Sequence, residues 1–329
     1  MAKVRVQDIA EALGIASSTV SRALNNHPKI SDKTKKKIVD KAHELGYFDS
    51  EVQSLSAFPY KTTAVLYPVS AGDVIQDAVE MISIAEQKGY AVALFPISTP
   101  SYITVLSKLL VEKQYHSVIF FFPTTEAVVY LKQLEAKGIR VVVVNPVGQK
   151  SDLPTLYIDI YKAAYEAFQH LVLMAGTNIA MVGTPKLPML HREIERAYID
   201  VLHRNGVAYN PECIYDDSGD LEDLHRWVFS LLDFRRDISG LFTASHHHML
   251  QVVSSLRELG RKIPRDVKVI SLSYSDFPNF ISPKVTSLNF NIIDIMTKCF
   301  EILDHKNVSD CSIDDKCVES SFILRKSTL

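Results

Sequence analysis

The first forty-eight residues carry apolar positions at helical spacing, interrupted twice by turn residues. Val6, Ile9, Ala10 and Leu13 recur at i, i+3, i+4 and i+7, the pattern of a helix with one buried face. Gly14 follows, the residue type that tolerates a left-handed turn. In the next segment, residues 17–24, Val20, Ala23 and Leu24 form the apolar side, while Ser17, Ser18, Ser21 and Arg22 stay outside. A third helix is predicted from an N-cap at Ser31 through Ile38, Val39 and Ala42 to Leu45, with Gly46 as its stop. From Thr63 the pattern changes. Continuous apolar runs at 64–67, 90–95, 117–122 and 140–144 read as buried parallel strands, with helical stretches between them at 73–88 and 125–137. A second series follows: strands at 178–182, 238–243 and 267–272, with helices over 190–205 and up to 259. Strands alternating with helices predict an α/β protein of open parallel sheets, and two series predict two lobes.

Composition adds mainly exclusions. At about 150 residues per domain, 329 residues make roughly two domains. With 47% hydrophobic and 22% charged residues the chain has the means for a sizeable core. No apolar run reaches membrane-spanning length, and the basic start lacks the apolar stretch of a signal peptide, so no membrane partner is expected. Four scattered cysteines (Cys213, Cys299, Cys311, Cys317) do not make a disulfide framework; Cys311 and Cys317 are read as free thiols and a reducing cytoplasm is expected. None of the 12 glycines forms Gly-x-Gly, which removes the dinucleotide fingerprint and the phosphate loop. No nucleophile-elbow pattern occurs either, so neither an enzyme nor a cofactor is called for.

The formal charge of −2 conceals an asymmetry. Residues 1–48 hold nine lysines and arginines against five acidic side chains, a net of +4, and the remainder of the chain therefore carries −6. A small basic head precedes a larger acidic body. Ala10 and Gly14 let two short helices cross closely, and the second of these bears hydroxyls and one Arg. That is a helix-turn-helix suited to DNA. Serines bond to base edges or phosphates, Arg22 can grip a guanine bidentately, and Lys33 and its neighbours can meet phosphates.

Residues 6–25 (VQDIAEALGIASSTVSRALN), followed by Ser31-(x2)-Thr34 and Glu44-Leu-Gly-Tyr47, resemble the headpiece of the LacI/GalR (lactose-repressor) family of bacterial transcription regulators. The stretch Thr19-Val-Ser-Arg22 is the most specific part. The resemblance implies that Ser17 and Ser18 choose operator bases, and that Arg22, Asn25, Lys29 and Thr34 contact bases or phosphates. Ala16 stands where the family has a Ser that caps the recognition helix, and Ser17 is placed to take over the cap. After Tyr47 the family continues into a hinge helix that wedges a Leu into the minor groove. Here Ser56 occupies that place, with Leu55 one position early. Either Leu55 is the wedge after a register change, or the segment is only a tether. The implied organisation is a DNA-binding domain at 1–48, a hinge at 49–61, and a two-lobed periplasmic-binding-protein-like body at 62–329 for effector binding and dimerisation.

Ligands of open parallel sheets bind at the carboxyl ends of the strands. The resemblance puts a ligand-gripping Arg where this chain has Ile194, an Asn-Asp pair at Ser245-His246 and an Asp at Ser273; Asn145 stands where some sugar-responsive relatives carry an Asp. Loss of these anchors removes a charge-assisted grip on a free sugar. Arg192 and Arg196 flank Ile194 and are either substitutes for the missing Arg or surface partners of Glu193 and Glu195. His246-His-His248 lacks the i, i+3 or i+4 spacing of metal pairs, so no metal is expected. The expected function is a repressor that binds a palindromic operator in double-stranded DNA as a homodimer and answers to an unidentified small-molecule effector or protein co-regulator. Two alternatives stand beside it: a sugar-responsive repressor with rearranged cleft contacts, and a small-molecule binding protein with a vestigial head.

Overall fold

A computed structural model describes residues 4–24, 27, 30–45, 47, 60–71, 78–147, 152–183, 187–215, 221–304 and 317–329. The chain divides into two compact units, Met1–Tyr60 and Lys61–Leu329.

In the first unit the predicted stripes become α1 (Val6–Leu13), α2 (Ser17–Leu24) and α3 (Asp32–Glu44). Ile9, Ala10, Val20, Ala23, Ile38 and Ala42 form a small core of their own. Gly14 ends α1 at φ 64°, its N–H bonded to the Glu11 carbonyl. A side chain there would meet no neighbour but would strain the backbone. Ser31 caps α3 as expected, its hydroxyl accepting from the Thr34 N–H at 3.3 Å. The expectation for α2 needs correction. The Ala16 carbonyl accepts from the Thr19 and Val20 N–H groups, so Ala16 is the cap residue and Ser17 is the first helical residue.

The second unit holds two six-stranded sheets. We number its strands β1 (Lys61–Pro68), β2 (Tyr90–Ile97), β3 (Ser117–Phe121), β4 (Arg140–Pro146), β5 (Thr155–Ile158), β6 (Ile179–Val182), β7 (Ile214–Tyr215), β8 (Gly240–Thr243), β9 (Lys268–Ser273), β10 (Thr286–Asn289), β11 (Cys317–Val318) and β12 (Ser321–Ile323). The helices are α4 (Ala78–Gln87), α5 (Pro100–Glu112), α6 (Thr125–Ala136), α7 (Ile160–Ala175), α8 (Pro188–Arg204), α9 (Leu221–Phe234), α10 (His246–Glu258) and α11 (Ile292–Asp304). The first sheet runs β11-β5-β4-β3-β1-β2, all parallel; the second runs β12-β10-β9-β8-β6-β7, with only β12 antiparallel. Strands β3 and β4 are fully buried apart from Arg140. This is why their sequence reads as continuous apolar runs rather than alternation.

The chain crosses between lobes three times, at Asp159 between β5 and α7, at Phe290-Asn291 between β10 and α11, and at Glu319-Ser320 between β11 and β12. Sequence patterning does not reveal this exchange: α11 comes directly after β10 of the second lobe yet packs on α4 and β4 of the first. Apolar residues of α4, α7, α8 and α11 consequently form one cluster that spans both lobes. The C-terminal end of α11 is tied to the starts of β1 and β2. Lys61 Nζ and the Tyr90 hydroxyl both donate to Asp304, at 2.6 and 2.8 Å, and Arg140 donates to the Leu303 carbonyl. Burial pushes the Asp304 carboxyl up, but the bonds from Lys61 and Tyr90 outweigh it and hold it below the usual range.

Candidate nucleic-acid interface and ligand cleft

The surface of α2 follows from its short apolar stripe. With Val20 and Ala23 buried, Ser17, Ser18, Ser21 and Arg22 are all exposed. Arg22 has no carboxylate partner among the described residues, which leaves its guanidinium available for recognition. On α3, Lys33, Lys36 and Lys37 are exposed, while the Thr34 hydroxyl sits 2.7 Å from that of Ser31. Thr34 therefore takes part in the helix cap as well as lying at the predicted contact surface. Asn25, Lys29 and Leu55 lie outside the described residues.

In the body, the residues singled out in the sequence do not gather around one cavity. Ile194 is 0% exposed inside the apolar cluster. Arg192 and Arg196 are mostly exposed and turn to the buried Glu193, at 3.8 and 2.8 Å. Arg196 also lies 4.1 Å above the Tyr161 ring. Glu195 accepts from the Tyr209 hydroxyl at 3.0 Å instead. The Ser245 hydroxyl caps α10 by accepting from the His248 N–H at 3.2 Å. His246 is buried with its ring against His247 and Phe277. Ser273 donates to the Ser275 carbonyl at 2.9 Å, closing a turn. Asn145 is buried at the end of β4, and its Oδ1 has no hydrogen-bond partner among the described residues. No group of three or more metal-ligating side chains occurs among the described residues. Cys213, Cys299 and Cys317 are free thiols, and Cys311 lies outside the described residues.

Two neighbouring cavities open at the carboxyl ends of the first lobe's strands. The larger, about 560 Å³, is walled by Val69, Ile97, Ile103, Phe120 and Phe122. Ser70, Ser98, Thr99 and Thr124 are its polar lining residues, and no charged residue lines it among the described residues. The smaller, about 280 Å³, lies between the lobes, with Pro68 and Phe122 on one side and Leu187, Pro188, Met189 and Leu190 on the other. Glu126 is its one charged lining residue among the described residues. The backbone amide of Glu126 itself, and then the Thr124 hydroxyl, hold that carboxyl below the ordinary range.

Pro68, Phe122 and Thr124 line both cavities. Phe122 is held at φ 54° while its N–H donates to the Val144 carbonyl at 2.9 Å. A bulky residue in that region carries strain of order 1–3 kcal/mol, and such strain concentrates at functional sites. None of these lining residues stood out in the sequence. The available signal was their place directly after an apolar run, where parallel strands end.

The model for bacterial regulatory proteins of the lacI family matches residues 5–50, and that for the periplasmic binding protein-like domain matches residues 168–328. The chain thus joins a DNA-binding head that matches the lacI family to a periplasmic-binding-protein-like domain. It is 24% identical to the HTH-type transcriptional regulator RegA of Clostridium saccharobutylicum, over 98% of this chain and 99% of the relative. It is also 24% identical to catabolite control protein A of Priestia megaterium, over 94% and 95%. The lac repressor dimer, solved bound to operator and the anti-inducer ONPF, superimposes with a TM-score of 0.68 at 19% identity and complete coverage of both chains. The transcriptional regulator CelR in complex with cellobiose gives 0.67 at 19% identity, covering 99% of this chain and 100% of that one. Like the regulators it matches, this protein is a DNA-binding transcriptional regulator rather than an enzyme. No helix among the described residues is long and apolar enough to cross a membrane.

Proposed function

We propose that this regulator is a cytoplasmic repressor that binds a two-fold symmetric operator as a homodimer, and that its cleft does not grip a free sugar through an Arg–Asp clamp. The observation that carries the DNA reading is the exposed face of α2, where Ser17, Ser18, Ser21 and Arg22, which has no carboxylate partner among the described residues, stand opposite the buried Val20 and Ala23. These four side chains read base edges. Lys33 and Thr34, with Asn25 and Lys29, hold the phosphate backbone, and Leu55 is the minor-groove wedge. One three-helix head offers little surface for tight specific binding, whereas two heads on a symmetric site double the contacts. Residues 1–48 thus serve recognition, 49–61 serve as the hinge, and the body serves dimerisation and response to an effector or co-regulator. The apolar lining of both cavities and the burial of Ile194 support the cleft reading.

The test is a genome-wide footprint of the purified full chain, followed by titration of the site it finds. Arg22→Ala should weaken binding to that site by about 1–3 kcal/mol and relax discrimination at one base position, while the melting of the body stays unchanged. Undiminished discrimination by the variant would sink the assignment of Arg22.

A further inference from the structure

The chemistry lining the two cavities specifies a ligand class. We propose that the cleft receives a compact, mainly apolar molecule bearing a cationic group, an arylalkylamine in chemical terms, with Phe122 as its aromatic wall and Glu126 as its counter-charge. The proposal rests on the reading of the body as an effector-responsive unit that has lost its polar anchors.

Three observations converge on it. First, the second-lobe wall of the inter-lobe cavity is apolar, made of Leu187, Pro188, Met189 and Leu190, while Pro68 and Phe122 line the other side beside Thr124, Thr125 and Glu126. Ile194, one turn beyond Leu190 on α8, continues that apolar stripe into the core. A sugar seated there would lose the hydration of its hydroxyls with few bonds in return. Second, the one charge lining either cavity among the described residues is the carboxylate of Glu126. An ammonium group gains from it, whereas a sugar phosphate or a carboxylate is repelled by it and meets no Lys or Arg among the described lining residues. Third, Phe122 is the aromatic residue common to both cavities and is held at φ 54°. Its ring is suited to an aromatic partner or to the face-on approach of a cation. The volumes, 280 and 560 Å³, suit a small molecule rather than a peptide.

The experiment is calorimetry on the full chain with four probes: 2-phenylethylamine, its neutral analogue 2-phenylethanol, 3-phenylpropanoate and cellobiose. The amine should bind most tightly, the alcohol next, the carboxylate weakly and the sugar not at all. Glu126→Gln, at a fully exposed position, should weaken the amine by about threefold to fivefold and leave the alcohol unchanged. Phe122→Leu should weaken both by about tenfold. Binding of cellobiose without the amine would overturn the proposal, as would amine binding indifferent to both substitutions. Operator binding is measured on the same preparation. A protein that holds DNA but ignores the amine overturns the ligand class alone; one that binds the amine but no DNA overturns the regulator reading and supports the ligand class.

Discussion

Replacing Ile194 with Arg places a charge where the family resemblance implies a ligand-gripping Arg, and the structure predicts that the fold rejects it. Ile194 is 0% exposed on α8, within the apolar cluster that also holds Ala197 and Tyr198. Losing its buried side chain forfeits about 2–3 kcal/mol. A guanidinium in its place adds several kcal/mol more unless a carboxylate meets it. The neighbouring carboxylate, Glu193, is already paired with Arg196 at 2.8 Å and has Arg192 within 3.8 Å. The expected cost is therefore about 4 kcal/mol or more, roughly a 10 °C fall in melting temperature for a unit of this size. The assay is thermal melting followed by intrinsic fluorescence. The chain has one tryptophan, Trp227, on α9 of the second lobe with its ring 5.6 Å from that of Tyr215, so the signal reports the lobe that holds Ile194. The control is Ile194→Leu, which keeps volume and polarity and should cost less than about 1.5 kcal/mol. If Ile194→Arg melted within about 2 °C of the parent, a shift of under about 1 kcal/mol, the position would be polar or open to the cleft and the apolar wall would not exist.

Two further outcomes can be checked alongside. A Cβ at Gly183 would stand 2.3 Å from His191 Nδ1, so Gly183→Ala should destabilise by about 1–3 kcal/mol, and His191→Ala in the same chain should recover much of it. A purely additive double variant in urea unfolding would show that His191 is not the obstacle. Burial holds the His170 imidazole below its ordinary pKa, its Nε2 lying 3.2 Å from the Thr328 hydroxyl. The folded state thus favours neutral His170; the associated stability is present above about pH 6.5 and is lost as pH falls through the lowered folded value. His170→Gln should flatten melting temperature against pH between about 7 and 5, and an unchanged slope would remove His170 as the cause.

The head was legible because every relation that builds it is local. The stripe of Val6, Ile9, Ala10 and Leu13, the Gly14 turn and the Ser31 cap each follow from residues within one or two turns of each other. The one local error, the cap of α2, came from reading hydroxyl preference at Ser17 without the backbone geometry that makes Ala16 the cap residue. Strand positions in the body were legible for a similar reason, since a strand covered on both faces must be apolar along its length.

The sequence by itself determined that a basic helix-turn-helix precedes a two-series α/β body and that the chain lacks phosphate-loop and dinucleotide patterns. Those are properties of composition and short-range spacing, whereas the places of Ile194, Ser245 and Ser273 as lost anchors are what the family resemblance implies. Only the tertiary structure decided what the anchors' surroundings became. It committed Arg196 to Glu193 and Tyr161, Ser245 to a helix cap and Ser273 to a turn. It also brought Pro68, Phe122 and Leu187 together at one mouth, from segments more than fifty residues apart. No spacing rule reaches across such distances. Contacts of that kind exist only once parallel strands stack side by side and the chain has crossed from one lobe to the other.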